Sequence, residues 1–581
     1  MSAITQETLA RARAAADASP RHPGLRYNLG VMLHEASDAA GAAAAYAQAT
    51  RLKPDFFQAW NNLGLVLEDL NRTDEALGAF RQALVLRPDY PAALKNLGRL
   101  SAAAGDVETA RDCYRRLGEL EPGNWVARVT AALMLPAVPA SAEALAAARQ
   151  RFSTELEALI EQARTPAGTA EQRLNALELH NNFFLPYQGE DDRELQAGYA
   201  RLTRRLLGDA CPELSGPRRP TGTGRLRVGF ASCFFRDCTV GHYFRSWITD
   251  LDPERFEVWV YLLGGPQDAV TDGINQAGFK TVHVTGPLPE AAQAILEGAP
   301  DVLVYPELGM NGRTYALAAL RLAPVQCAGW GHPVTSGHAT VDYFLSCAAM
   351  EPEDGDAHYI ESLVRLPGLG TRYAKPSVGT TLSRADLGLP EAAHLYLFPH
   401  APYKVHPEND ALLARILADD PEGLLVLCEG IVPEQGRTLR RRLETALAGQ
   451  GVAPDRLRML PHLPRASFLE ANRLCDVMLD TTRWSGGNTT LDALASGLPV
   501  VTRRGRFMRG RQSAGMLEIM GLPELIADND DDYVAVALRL GRDRVRRDDV
   551  SHRIAAARDR LFDDRTPVAK LASFLLSVGQ T

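Results

Sequence analysis

The sequence predicts an α-helical solenoid followed by an α/β region of two parallel-sheet lobes. Three observations carry that prediction: a 34-residue period near the N-terminus, alanine-rich helical sequence over 123–215, and short apolar runs alternating with helical stretches through the second half. At roughly 150 residues per domain, a chain of 581 residues holds about three or four domains. With 46% hydrophobic and 23% charged residues, its composition is that of a globular protein, which excludes a disordered or fibrous one.

The repeat is exact in phase. Leu29-Gly30, Leu63-Gly64 and Leu97-Gly98 recur 34 apart, and Ala42, Ala76 and Ala110 keep the same frame. So do Tyr46, Phe80 and Tyr114, and each unit closes on Pro54, Pro88 or Pro122. Small residues let two helices approach, the aromatic ring fills the space between them, and proline ends the second helix. This is the tetratricopeptide pattern, with units starting near 23, 57 and 91 and the arm spanning 1–124. Asn28, Asn62 and Asn96 precede the Leu-Gly pairs on the first helix of each unit. An amide both donates and accepts, so this ladder is expected either to hold the backbone of an extended peptide or to join neighbouring helices.

From 125 to 219 a helical connector is expected, broken once at LPAVPAS, and the aromatic stretch 180–196 is expected to pack against the next domain. A break at SGPRRPTGTG (215–224) then leads into a first lobe, 220–390, with strands near 225–233, FEVWVYLL, KTVHVTG and DVLVYPE and a further strand starting at Asp342. A second lobe, 391–581, follows with strands at HLYLFP, GLLVLCEG, RLRMLP, DVMLD and PVVT. Fully apolar runs of this length imply parallel sheets covered on both faces, hence twin Rossmann-like lobes with a cleft between them. The dinucleotide and P-loop glycine motifs are both missing, which removes the main support for an oxidoreductase or a P-loop enzyme.

A net charge of −8 argues against nucleic acid as a partner. No apolar run reaches the roughly 18–20 residues of a membrane span. Eight scattered cysteines without a C-x-x-C pair provide no zinc site, and a reducing, cytoplasmic location is expected.

The strongest chemical signal is DTTRWSGGNTTLDALASGLPVVT (480–502). A strand ends at Asp480, two glycines follow, and Asn488-Thr489-Thr490 open a helix that carries Asp492. Free N–H groups and hydroxyls at such a helix start suit an anionic diphosphate, and Asp492 one turn on suits a ribose. Lys404 follows the second lobe's first strand, where an ammonium either neutralises a departing diphosphate or is simply solvated. His332 and Ser336 in GWGHPVTSGHATVDYF are expected to face the cleft, with a turn-capping role as the alternative for the histidine. His242 follows the first lobe's first strand, and His462 and Arg465 lie on a second-lobe loop suited to base or diphosphate. The five arginines between Arg503 and Arg511 read either as a counter-charge for an anion or as a solvated loop.

These motifs, in this order, make the chain resemble glycosyltransferase family 41, the tetratricopeptide-linked O-GlcNAc transferases with their SPINDLY-like and bacterial relatives. The resemblance rests on the in-phase repeats, GHPVTSG, the Lys404 segment, GGNTTLDALASGLPVVT and GRFMRGRQSAG. It implies a GT-B fold and inverting transfer from a UDP-sugar to a protein side chain, with no metal and no other cofactor. It also implies Lys404 and the Thr489 and Thr490 hydroxyls on the diphosphate, Asp492 on the ribose, and Arg465 where the O-GlcNAc enzymes carry a lysine.

Two departures stand out. Asn488 replaces the histidine that the O-GlcNAc enzymes carry before Thr-Thr, and Arg236-Asp237-Cys238 replaces a histidine-proline pair, leaving the later His242. In both respects, and in KVHPEND and His462, the site is similar to bacterial N-glucosyltransferases that use UDP-glucose. The expected donor sugar is therefore GlcNAc or glucose, and the acceptor Ser/Thr or Asn, with His242 or Asp237 on the acceptor side. Expected partners are the UDP-sugar and a protein or peptide along the repeats, with self-association left open. The alternatives are an inactive peptide-binding scaffold and a GT-B transferase with a non-protein acceptor.

Overall fold

A computed structural model describes residues 6–208, 211, 216, 218–220 and 224–579. The break expected at 215–224 lies largely outside the described residues, as do the outer ends, 1–5 and 580–581, of the first and last expected domains. Packing divides the chain into two units, Met1–Met134 with Ala167–Arg173, and Leu135–Pro166 with Leu174–Thr581.

In the first unit a leading helix, Gln6–Ala18, precedes three helix pairs. These are Pro23–Glu35 with Ala39–Leu52, Phe57–Asp69 with Thr73–Leu86, and Pro91–Ala103 with Val107–Leu120. Pro23 and Pro91 occupy the first helical position, where the absent N–H costs nothing. Asp38 and Asp106 cap the second helices of their pairs through the N–H of Gly41 and Thr109. The Leu-Gly glycines are required by close approach: a methyl group at Gly30 would stand 2.7 Å from the Tyr46 ring, and one at Gly64 2.5 Å from Phe80. Gly98 faces Tyr114 in the same way at 3.2 Å.

The connector is divided between the units. Trp125–Leu133 packs with the repeats, and the Trp125 indole donates to the Ala167 carbonyl at 2.8 Å, which ties 167–173 to the same unit. Ala142–Gln162 and Arg193–Leu207 pack on each other in the second unit.

The second unit holds two all-parallel sheets. The first contains β1 (Leu226–Ser232), β2 (Phe256–Leu262), β3 (Lys280–His283), β4 (Val302–Tyr305), β5 (Val325–Gly329), β6 (Tyr343–Cys347) and β7 (Ser362–Leu366) in the order β3-β2-β1-β4-β5-β6-β7. The second contains β8 (His394–Phe398), β9 (Gly423–Cys428), β10 (Leu457–Leu460), β11 (Val477–Leu479), β12 (Val500–Arg503) and β13 (Ile526–Ala527) in the order β10-β9-β8-β11-β12-β13. Strand order reverses between β1 and β4 in one sheet and between β8 and β11 in the other. Loops leaving the C-terminal ends of strands at such a reversal diverge and leave a crevice. The segments carrying His242, Lys404 and Asp492 follow β1, β8 and β11.

Three features go beyond the sequence reading. Strands β5 and β7 extend the first sheet past those expected, while β6 begins at Tyr343, beside the expected start at Asp342. The last helix, Thr566–Gly579, leaves the lobe expected at 391–581 and packs on the first one, with Phe574 edge-on to Tyr343 at 5.1 Å. The aromatic stretch 180–196 packs on the first lobe as expected and reaches the second as well: Phe183 stacks on His332, and Tyr187 meets Trp484 with ring centres 3.9 Å apart. Among the described residues no helix is long and apolar enough to cross a membrane.

The close approach at Gly64 is directly testable. Gly64→Ala should destabilise the repeat unit by about 1–3 kcal/mol through overpacking against Phe80, read as faster amide exchange over 57–86 in the full chain; unchanged protection would contradict the packing described.

Candidate active site

The second lobe's half of the site is organised by the Asp480 carboxylate, which is 1% exposed at the end of β11. One oxygen accepts from the Gly486 N–H at 2.7 Å; the other accepts from the Ser485 and Thr502 hydroxyls, each at 2.7 Å. These bonds fold the Gly-Gly loop back under the helix Asn488–Ala495. Both glycines are needed there. A methyl at Gly486 would lie 2.6 Å from the Thr489 and Thr490 hydroxyls, and one at Gly487 would lie 2.5 Å from the Gln512 amide oxygen. Gly487 is the N-cap residue and supplies no side-chain acceptor, so the first helical N–H groups stay available.

Asp492 accepts from Arg465 and from the Asn488 amide, both at 2.9 Å. The Tyr373 hydroxyl accepts from Arg465 at 3.0 Å and donates to the Asn488 carbonyl oxygen at 2.5 Å. Burial pushes the Asp492 carboxyl up to about 6, against the opposing pull of Arg465.

After β8, His400 points Nε2 at the Leu479 carbonyl at 3.1 Å, so that nitrogen carries the proton. The same nitrogen lies 3.5 Å from Asp480. Lys404 ends the short turn Pro402–Lys404, with Nζ 6.0 Å from the centre of the Trp484 ring. Burial pushes its ammonium down to about 8, and the Asp480 charge opposes that fall.

From the first lobe, the loop after β1 leads into the helix Thr239–Thr249. Asp268 accepts from the Asp237 N–H at 2.6 Å and holds this loop. The Asp237 carboxylate then pairs with His242 Nε2 at 2.8 Å.

A cavity of about 520 Å³ joins the two halves. It is lined by Asp237 and His242 from the first lobe and by His462, Arg465, Asn488, Thr489 and Asp492 from the second. His400 and Phe468 also line it and were missed in the sequence; His400 lies in the Lys404 segment, four residues ahead of the lysine.

Four expected residues are not in that lining. Ser336 turns inward rather than toward the cleft, because its N–H and hydroxyl both bind the buried Glu361 carboxylate, which Thr335 also binds. His332 is enclosed by Phe183, Tyr187 and Trp484, and burial pushes its imidazole down to about 3. Thr490 is buried with its hydroxyl 2.7 Å from Ser513. Lys404 is half-buried beside the Trp484 ring and close enough to His332 to lower that imidazole further.

The arginine run divides between paired, buried and exposed side chains, with Arg504 and Arg506 exposed. Arg503 pairs with Asp530, Arg504 with Glu518, and buried Arg509 binds the Pro186 carbonyl and Asp192. Within the repeats, Asn62 donates to the Tyr27 hydroxyl at 3.1 Å and Asn96 to Asn61 at 3.0 Å, both joining neighbouring units, while Asn28 is exposed. Among the described residues, no three His, Cys, Asp or Glu side chains are gathered as metal ligands.

Comparison with known proteins fits this geometry. The profile of glycosyl transferase family 41 matches residues 169–373 and 369–571, and a tetratricopeptide repeat profile matches 6–55, 35–91 and 61–124. A probable UDP-N-acetylglucosamine–peptide N-acetylglucosaminyltransferase SPINDLY of Arabidopsis thaliana is 28% identical over 343 residues, 57% of this chain and 36% of the relative. The Arabidopsis relative SEC, described by the same activity, is 25% identical over 353 residues, 59% of this chain and 35% of its own. The chain thus spans little more than a third of the length of these relatives. An O-GlcNAc transferase variant of Thermobaculum terrenum shares the fold, with a TM-score of 0.63 at 24% identity over 96% of this chain and 97% of that one. With both lobes matched in sequence and the repeats in phase ahead of them, the chain belongs to glycosyl transferase family 41.

Proposed function

We propose that the protein is an inverting, metal-independent glycosyltransferase that moves N-acetylglucosamine or glucose from a UDP-sugar to a Ser, Thr or Asn side chain of a protein. The observation that carries this reading is the shared cavity, with the His242–Asp237 pair on one lobe and the open helix start beside Arg465 and Asp492 on the other. Family membership and the peptide-modifying activity named for the Arabidopsis relatives support a protein acceptor.

The chemistry follows from placement. The helix start at 488–490 and the Lys404 ammonium stabilise the negative charge that collects on the diphosphate as its bond to the sugar breaks. That is the charge a metal ion supplies elsewhere, so none is required. Asp237 holds Nε2–H of His242, which leaves Nδ1 with a lone pair to take the acceptor's proton. The acceptor atom bonds to the anomeric carbon opposite the departing diphosphate, and the configuration inverts. Asp492 receives the ribose hydroxyls, and Asn28, the exposed member of the repeat ladder, is left to hold acceptor backbone.

Incubation with UDP-GlcNAc or UDP-glucose, with and without EDTA, tests the reading. One donor should be consumed and a hexosamine or hexose mass should appear on protein, unaffected by the chelator. UDP binding without consumption of either donor against any acceptor would favour an inactive scaffold. Lys404→Ala should lower kcat by roughly 10²–10³-fold with an unchanged melting temperature; near-normal turnover would remove the lysine from the mechanism. UDP binding should also peak between about pH 6 and 8. Below that window Asp492 gains a proton and ceases to accept from the ribose, and above it Lys404 loses its charge. A flat profile from pH 5 to 9 in calorimetric titrations would contradict both assignments.

A further inference from the structure

We propose that Tyr243, a first-lobe residue, belongs to the donor site: its hydroxyl donates to the diphosphate seated at the start of the helix Asn488–Ala495. The proposal rests on the reading of the cavity as a UDP-sugar site. Tyr243 follows His242 on the helix Thr239–Thr249, but its side chain turns away from the solvent and is 2% exposed. Its ring is fixed by Trp330, edge-on at 4.8 Å, and by Tyr373 at 5.0 Å.

The hydroxyl of this immobilised ring has no hydrogen-bond partner. A buried hydroxyl left unpaired is costly, and native structures rarely leave one so without a role for it. The oxygen lies against the helix N-cap: a methyl group at Gly487 would be 3.2 Å from it. That N-cap residue provides no side chain to the first N–H groups of the helix, which have no partner within the helix either. Two sets of donors, one from each lobe, therefore meet at this N-cap, where the Gln512 amide oxygen lies close by but takes no hydrogen bond from the phenol. Burial holds the phenol well above its ordinary titration range, so it remains a donor at every working pH. An acceptor of negative charge completes this arrangement, and the helix start favours the same sign.

The test compares UDP with uridine, using calorimetry for the first and ligand-observed NMR for the weaker second, on the full-length wild type and Tyr243→Phe. The substitution removes one oxygen and leaves the ring packing intact. UDP should bind about tenfold or more weakly to the variant, uridine should bind equally to both, and the unliganded variant should melt no lower than wild type. Equal UDP affinity for the two proteins would mean that the hydroxyl is satisfied by water alone, and would overturn the proposal. A parallel loss of uridine affinity, or a lower melting temperature without ligand, would overturn it by making the hydroxyl a structural group. Wild type that binds no UDP would instead overturn the donor-site reading itself, and this proposal with it.

Discussion

Everything the second lobe offers to a ligand depends on one buried carboxylate. Asp480 accepts three hydrogen bonds from the loop and strand around it, and those bonds determine where the Gly-Gly loop runs and where the next helix begins. Its charge is also the one that keeps Lys404 from losing its proton at lower pH, since burial acts on the ammonium in the opposite sense. A buried acid is costly unless its oxygens are satisfied, and here they are, so the same interactions that stabilise the acid hold the site open.

Two strand-order reversals bring the rest of the chemistry to this carboxylate. Asp480 follows β11 and Lys404 follows β8, at the reversal of one sheet; the His242–Asp237 pair follows β1, at the reversal of the other. The strap at 180–196 is fixed to both lobes through rings and through Asp192, whose carboxylate receives Arg149 at 2.7 Å and Arg509 at 3.0 Å. Burial pushes the Asp192 carboxyl up despite these two guanidinium partners, and Arg509 is the arginine of the 503–511 run that it holds.

Much of this was legible in the sequence because the signals were local and repeated. The 34-residue period located each helix pair at its start, since Gly30, Gly64 and Gly98 each face an aromatic ring one helix away. The second lobe's first five strands were equally plain as apolar runs. Strands β5 and β7 were not, because their short runs carry polar residues, Gln326 in one and Ser362 and Arg365 in the other, and β5 ends on Gly329. Within the site, spacing placed Asn488, Thr489 and Asp492 correctly on one helix start, but a hydroxyl's direction depends on partners remote in sequence. Thr490 turns to Ser513 and Ser336 to Glu361, each more than twenty residues away. Tyr373 and Tyr243 were invisible for the same reason: each acquires its meaning from a helix over a hundred residues further along.

In the proposed function Lys404, sustained by Asp480, supplies the positive charge on which the donor diphosphate rests. Asp480→Asn tests it most directly, because the amide keeps an acceptor for the Gly486 N–H while removing the charge that sustains the ammonium. UDP affinity measured by calorimetry across pH 6–10 should then lose its alkaline limb at lower pH than in wild type. An alkaline limb that stays in place, or moves to higher pH, would contradict the account.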